Sequence, residues 1–189
     1  MKITHLSNKM NLLRLLLVTF GPVLVTQAGP SPYAGEQTRQ IKALSEGEVS
    51  SLLNGHGMGF ARAAELNSYP GPRHVLDLAD ELRLTPAQTT QLTSVFETMK
   101  AAALPLGREL VSRETELDRL FTGRLATPDM VLALTREIGR LQGELRAVHL
   151  NAHVATVGIL QAGQIARYDA LRGYTSATHD PANHQTRQP

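Results

Sequence analysis

From Val131 to Ile159 the chain carries an unbroken apolar seam. Val131, Leu134, Ile138, Leu141, Leu145, Val148, Ala152, Ala155 and Ile159 are separated by alternating steps of three and four. That alternation keeps apolar side chains on one stripe of an α-helix and is foreign to the two-residue period of a strand. A seam of four heptads calls for a second helix packed along it. The partner lies upstream: from Pro86, apolar residues fall at Leu92, Val95, Met99, Ala102 and Leu106, and after Pro105 the phase slips to Leu110, Leu117, Leu120 and Phe121. A proline inside a helix removes one hydrogen bond at a cost of about 3 kcal/mol, so a bend rather than a stop is expected at Pro105. Gly123 and the cap-like Thr127-Pro128-Asp129 are the expected turn. Glu109/Arg113 and Arg140/Glu144 sit four apart, as ion pairs on solvated helix faces do. The expected product is a long, bent helical hairpin.

Both ends of the hairpin carry a related start signal. In Leu84-Thr85-Pro86-Ala87-Gln88, Thr85 suits the N-cap, Pro86 the first helical position, and Gln88 the position from which a side chain reaches back to the cap. A degraded copy, Leu160-Gln161-Ala162-Gly163-Gln164, lacks the hydroxyl and the proline, so its cap should be weaker. Shorter elements precede the hairpin. Ser45 and Glu48 form a capping box before Val49–Leu53, which closes at Asn54-Gly55. A second short helix is expected over Phe60–Leu66, ending before Tyr69-Pro70-Gly71-Pro72. A third should start near Pro72 and carry Val75, Leu76, Leu78, Ala79 and Leu82, and a last one should run from Ala162 to Leu171 with Gly173 as its stop. No alternating strand pattern occurs outside the N-terminal segment. The chain reads as all-α.

The first 28 residues read as a signal peptide. Lys2, Lys9 and Arg14 precede an apolar run from Leu15 to Val25, and Thr26-Gln27-Ala28 offers small residues for cleavage near Ala28. The run is short of the roughly 20 apolar residues a bilayer span needs. An uncleaved N-terminal anchor is the plainer alternative, set back by Gly21 and Pro22 inside the run. Three of the 19 Lys+Arg and none of the 17 Asp+Glu lie in this segment, leaving 16 bases against 17 acids. With no net basic charge and no interleaved aromatic platform, nucleic acid is not an expected partner. The absence of cysteine excludes a disulfide framework and any thiolate metal site. The organisation expected is a signal peptide over 1–28, a mobile linker over 29–44, a helical domain over 45–174 and a polar tail over 175–189 without a packing pattern.

These features together resemble the LTxxQ superfamily. Leu84, Thr85 and Gln88 match the motif, Leu160 and Gln164 match its second copy, and the closing Tyr168-x-x-Leu171-Arg172-Gly173-Tyr174 follows. The likeness runs from about Val75 to Tyr174. That superfamily includes Spy/CpxP-type periplasmic chaperones and envelope-stress proteins, and periplasmic heavy-metal sensors of the zinc-resistance kind. The resemblance implies a periplasmic location and an ATP-independent helical chaperone or stress protein that binds unfolded or envelope protein clients. Its metal-sensing branch implies histidines one turn apart with an acidic or thioether ligand from another helix, and a membrane-protein partner. The segment Gly57–His74 is not part of the shared motif.

The chemistry the residues offer is narrow. His149 and His153 are four apart, so both imidazoles lie on one helix face, close enough to share a Zn²⁺, Ni²⁺, Co²⁺ or Cu²⁺ ion. Further donors could come from His56, Met58, Glu65 or His74. The simpler expectation is a solvated or hydrogen-bonded pair beside the seam, with no cofactor. His179 and His184 sit in the polar tail. Glu114 and Asp118, one turn apart, read as a charged outer face. There is no cysteine nucleophile, Gly-x-Ser-x-Gly, His-Glu-x-x-His or phosphate loop, so the expectation is a binding protein and not an enzyme. Since a thin hairpin cannot bury both faces of its helices, it should dimerise or offer a concave apolar surface to clients. Met58, Met99 and Met130 could add adaptable contacts there.

Overall fold

The computed structural model describes residues 29–174. The segment read as a signal peptide, with its expected cleavage point, and the tail with His179 and His184 lie outside them. Residues 29–34 belong to one unit, in which Ser31 O accepts from the Ala34 N–H at 2.9 Å. From Gly35 onward a second unit holds every helix of the described residues. They are α1 (Glu46–Leu53), α2 (Arg62–Glu65), α3 (Pro72–Asp77), α4 (Pro86–Thr122), α5 (Pro128–Val157) and α6 (Ala162–Leu171), after a short 3-10 turn at Glu36–Thr38. No strand is present among the described residues, and α4 and α5 form the long hairpin. The protein is all-α.

The start signals operate as read. Thr85 Oγ1 accepts from the Gln88 N–H at 3.2 Å while Gln88 Oε1 accepts from the Thr85 N–H at 3.0 Å. Ser45 and Glu48 form the same reciprocal pair at the head of α1. Helix α4 runs through Pro105 without a stop. Both Pro105 and Ala101, whose carbonyl the proline leaves unpaired, are exposed, so water can replace the missing donor. The turn differs in one detail: Gly123 stays right-handed and Arg124 takes the left-handed conformation at φ 55°. The N–H of Leu125 then closes on Leu120 O at 2.8 Å, and that of Arg124 on Phe121 O, a Schellman arrangement.

The apolar side chains collect into two cores. One joins Leu52, Ala103, Leu110, Ile138, Leu141 and Leu145 and is capped by α1. The other joins Val75, Leu82, Leu92, Leu160 and Tyr168 at the open end of the hairpin. The stripes differ from the sequence pattern. On α4, Ala103, Gly107, Leu110 and Glu114 are buried where Ala102 was expected; on α5, Thr156 is buried and Ala155 exposed. An α-helix drifts about 20° per heptad against a 3.5-residue repeat, and the short helices cover the side toward which the stripe moves. Gly107 shows how closely they pack, since a Cβ there would lie 2.2 Å from Leu52 O.

Three further expectations change. The third short helix stops at Asp77, with Leu78 to Arg83 in turns, and α2 is a single turn. The linker expected over 29–44 is shorter, because Ile41 is buried and the Lys42 N–H binds Asp118 Oδ1 at 3.1 Å. Glu114 is not on an outer face. It is buried beside that core, which pushes its carboxyl up.

Candidate functional site: a histidine-lined cleft

Helices α1–α3 lie over the hairpin and leave a cleft of about 920 Å³ between themselves and the α4/α5 pair. His149 and His153 line it from α5, Phe96, Met99 and Lys100 from α4, and the loop Gly55–Gly59 with Arg62, Glu65 and His74 from the opposite side. The loop is sharply shaped: Gly55, Met58 and Gly59 all have positive φ, at 71°, 42° and 83°. Glycines let the backbone approach both imidazoles. A Cβ on Gly57 would lie 3.3 Å from His149 Nδ1, and one on Gly71 would lie 2.9 Å from His153 Nε2. The Gly57–His74 segment outside the motif therefore builds one wall of the cleft.

The histidine pair is buried rather than solvated, with His149 4% and His153 9% exposed. The two rings differ in their partners. His153 Nδ1 lies 2.6 Å from Tyr69 O, so that nitrogen carries a proton and donates to the carbonyl. His149 stacks on Phe60 with ring centroids 6.1 Å apart, and its buried Nε2 has no hydrogen-bond partner. Burial, with the nearby His153 charge, pushes the His149 pKa down. The ring is therefore neutral near pH 7.

Glu65 organises the rim. Its carboxylate accepts from Tyr168 Oη at 2.5 Å, Tyr174 Oη at 3.2 Å and the Gly71 N–H at 3.2 Å. His74 Nδ1 lies 3.5 Å away, His153 Nδ1 3.6 Å and Arg172 Nε 3.7 Å. Burial alone would raise this carboxyl. Hydrogen bonds from His74 and Tyr168, with the charges of His74 and His153, outweigh it and hold Glu65 at about 2. Burial and the bond to Glu65 push the Tyr168 phenol up. Sequence reasoning named Glu65 only as a metal donor and Tyr168, Arg172 and Tyr174 only as motif residues. Their convergence depends on α6 folding back beside α2, which no local pattern encodes.

The two motif copies meet. Gln88 Nε2 donates to Gln164 Oε1 at 2.8 Å, Gln164 Nε2 donates to Gln88 Oε1 at 3.1 Å, and their second N–H groups reach Ile159 O and Leu82 O. Gln164 Oε1 also accepts from the Gln161 N–H at 2.9 Å. Each amide thus fills both donors and both acceptor positions. Leu84 and Leu160 pack in the core beside this clasp. Helix α6 has no hydroxyl cap, but Gln161 and Gln164 form a reciprocal capping box at its start.

Among the described residues no three His, Asp or Glu side chains gather as a ligand set. Glu65, 3.6 Å from His153 Nδ1, is engaged by its own donors. No family profile, curated protein or solved structure matches the chain.

Proposed function

We propose that the chain is a periplasmic helical binding protein of the Spy/CpxP kind, an ATP-independent chaperone or envelope-stress protein that holds unfolded or envelope protein clients without covalent chemistry. One observation carries this reading: the turn end of the hairpin leaves large apolar side chains in water. Phe121 is 60% exposed, Leu125 66%, Met130 43% and Leu132 48%. Exposed apolar groups gathered at one end of a molecule mark an interaction surface, and the exposed Arg119, Arg124 and Arg136 fringe it with positive charge. Because α1–α3 occupy one face of the hairpin, the client surface moves from a concave cradle to this end. An aggregation assay with a denatured client tests it. Stoichiometric protein should suppress aggregation, and the triple variant Phe121→Ser, Leu125→Ser, Leu132→Ser should lose most of that effect while staying folded. Absence of suppression by the folded wild type would overturn the reading.

A second reading, metal binding at His149 and His153, is favoured by the unpartnered Nε2 of His149. A buried polar atom without a partner costs about 1–3 kcal/mol, which coordination would recover. Calorimetric titration of Zn²⁺, Ni²⁺, Co²⁺ and Cu²⁺ into wild type and a His149→Ala/His153→Ala variant decides it. Identical weak binding in both would end the metal role.

A further inference from the structure

The cleft holds more chemistry than either reading uses. Its volume of about 920 Å³ lies at the upper end of the range of small-molecule sites, roughly 300–1,000 Å³. Its charges do not cancel. Arg73 is engaged by Asp77 at 3.0 Å and Glu65 by its own donors, whereas Arg62 and Lys100 have no ion-pair partner among the described residues. Against these two cations stands one lining carboxylate without a partner there, Glu97. The α4 wall is apolar, with Phe96 and Met99, and Met58 faces the same space from the loop. His149 also lines this space, and its buried Nε2 has no hydrogen-bond partner.

We propose that this cleft binds a small carboxylate with an apolar tail. The carboxylate meets Arg62 and Lys100, which gain an anionic partner and charge-assisted hydrogen bonds. The tail lies along Phe96, Met99 and Met58, where thioethers and an aromatic face adapt to varied apolar shapes. The unpaired cations that suit an anion repel a divalent metal ion, so the same cleft favours the acid. This site is separate from the turn end proposed for clients.

Calorimetry on the full chain with laurate, with dodecanol as its uncharged counterpart, and with Zn²⁺ alone tests the assignment. Laurate should bind at one site and dodecanol at least tenfold more weakly. The Arg62→Gln/Lys100→Gln variant should lose laurate affinity by tenfold or more without a change in unfolding temperature. Laurate binding should survive the turn-end triple variant, which separates failure of this site from failure of the client surface. Equal laurate affinity in wild type and the Gln variant, no laurate binding up to millimolar concentration, or Zn²⁺ binding that depends on His149 while laurate does not bind, would each overturn it.

Discussion

The two cores of this molecule are built by different physics. The core around Leu110, Ile138, Leu141 and Leu145 is apolar and organised along the hairpin. The core at the open end surrounds Leu92 and Tyr168 and is tied by polar groups that come from five places in the chain: Glu65, His74, Gln88, His153 and Gln164. Apolar packing tolerates small shifts in register, because any methyl in the right layer fills space. A part-buried polar network does so less, since each donor or acceptor left unmet away from water retains its desolvation cost. The open end is therefore where the fold fixes the position of its cleft, and the hairpin interior is where it gains general stability.

That contrast predicts a ranking of damage. The largest effect should come from Glu65→Ala, which removes the acceptor shared by Tyr168, Tyr174 and the Gly71 N–H and uncovers positive charge at Arg172. Each of these part-buried hydrogen bonds to a charged acceptor is worth about 1.5–3 kcal/mol, so their joint loss should exceed the cost of one core cavity, to be read from denaturant unfolding. Leu141→Ala in the apolar core leaves a cavity and should cost about 3 kcal/mol. The comparison breaks if Leu141→Ala proves the more damaging of the two. It sharpens if cleft-dependent laurate binding is lost in a Glu65 variant but kept in the Leu141 variant under conditions where both remain folded.

The Gln88–Gln164 clasp should rank next. In a double-mutant cycle with alanine at both positions, the coupling should be about 1–2 kcal/mol, because the residues share two direct hydrogen bonds. Additive losses would show that each glutamine acts only as its own helix cap.

How much of this was visible beforehand follows the same divide. The hairpin was legible because Val131 to Ile138 and Leu141 to Leu145 repeat a period that only a packed helix satisfies. Thr85 with Gln88 was legible as a cap for a similar reason: both partners lie within one turn. The second use of Gln88, pairing with Gln164, was not. Its partner is separated by 76 positions, and nothing local distinguishes a capping glutamine from one that also reaches across a hairpin. The same holds for Glu65 and Tyr168, 103 positions apart. His149 and His153 were visible as a one-turn pair, but their burial depends on α2 and on the Pro70-Gly71 bend lying over α5. Glu114 was read from its charge, which says where a residue is costly to bury and not where it lies.

The smallest effect concerns His149 and turns on pH. Its pKa is pushed down from 6.5 in the fold, so the native state resists protonation while the unfolded chain does not. Stability from this group is complete above 6.5 and falls as pH drops through 6.5 toward the depressed native value. Glu65 behaves in a lower window: its carboxyl moves from 4.5 to about 2, so its contribution is complete above 4.5 and is lost between there and about 2. Wild type should thus lose part of its stability between pH 7.5 and 5 before the Glu65 network begins to fail. His149→Phe keeps a planar ring against Phe60 and removes the unpartnered Nε2, so it should gain up to about 1 kcal/mol at pH 5. Unfolding temperatures of both proteins across pH 7.5 to 5 provide the measurement. Parallel slopes would mean that His149 is satisfied by a proton or a solvent molecule in the fold, and the cleft would then lose the buried polar atom that sets it apart from the apolar core.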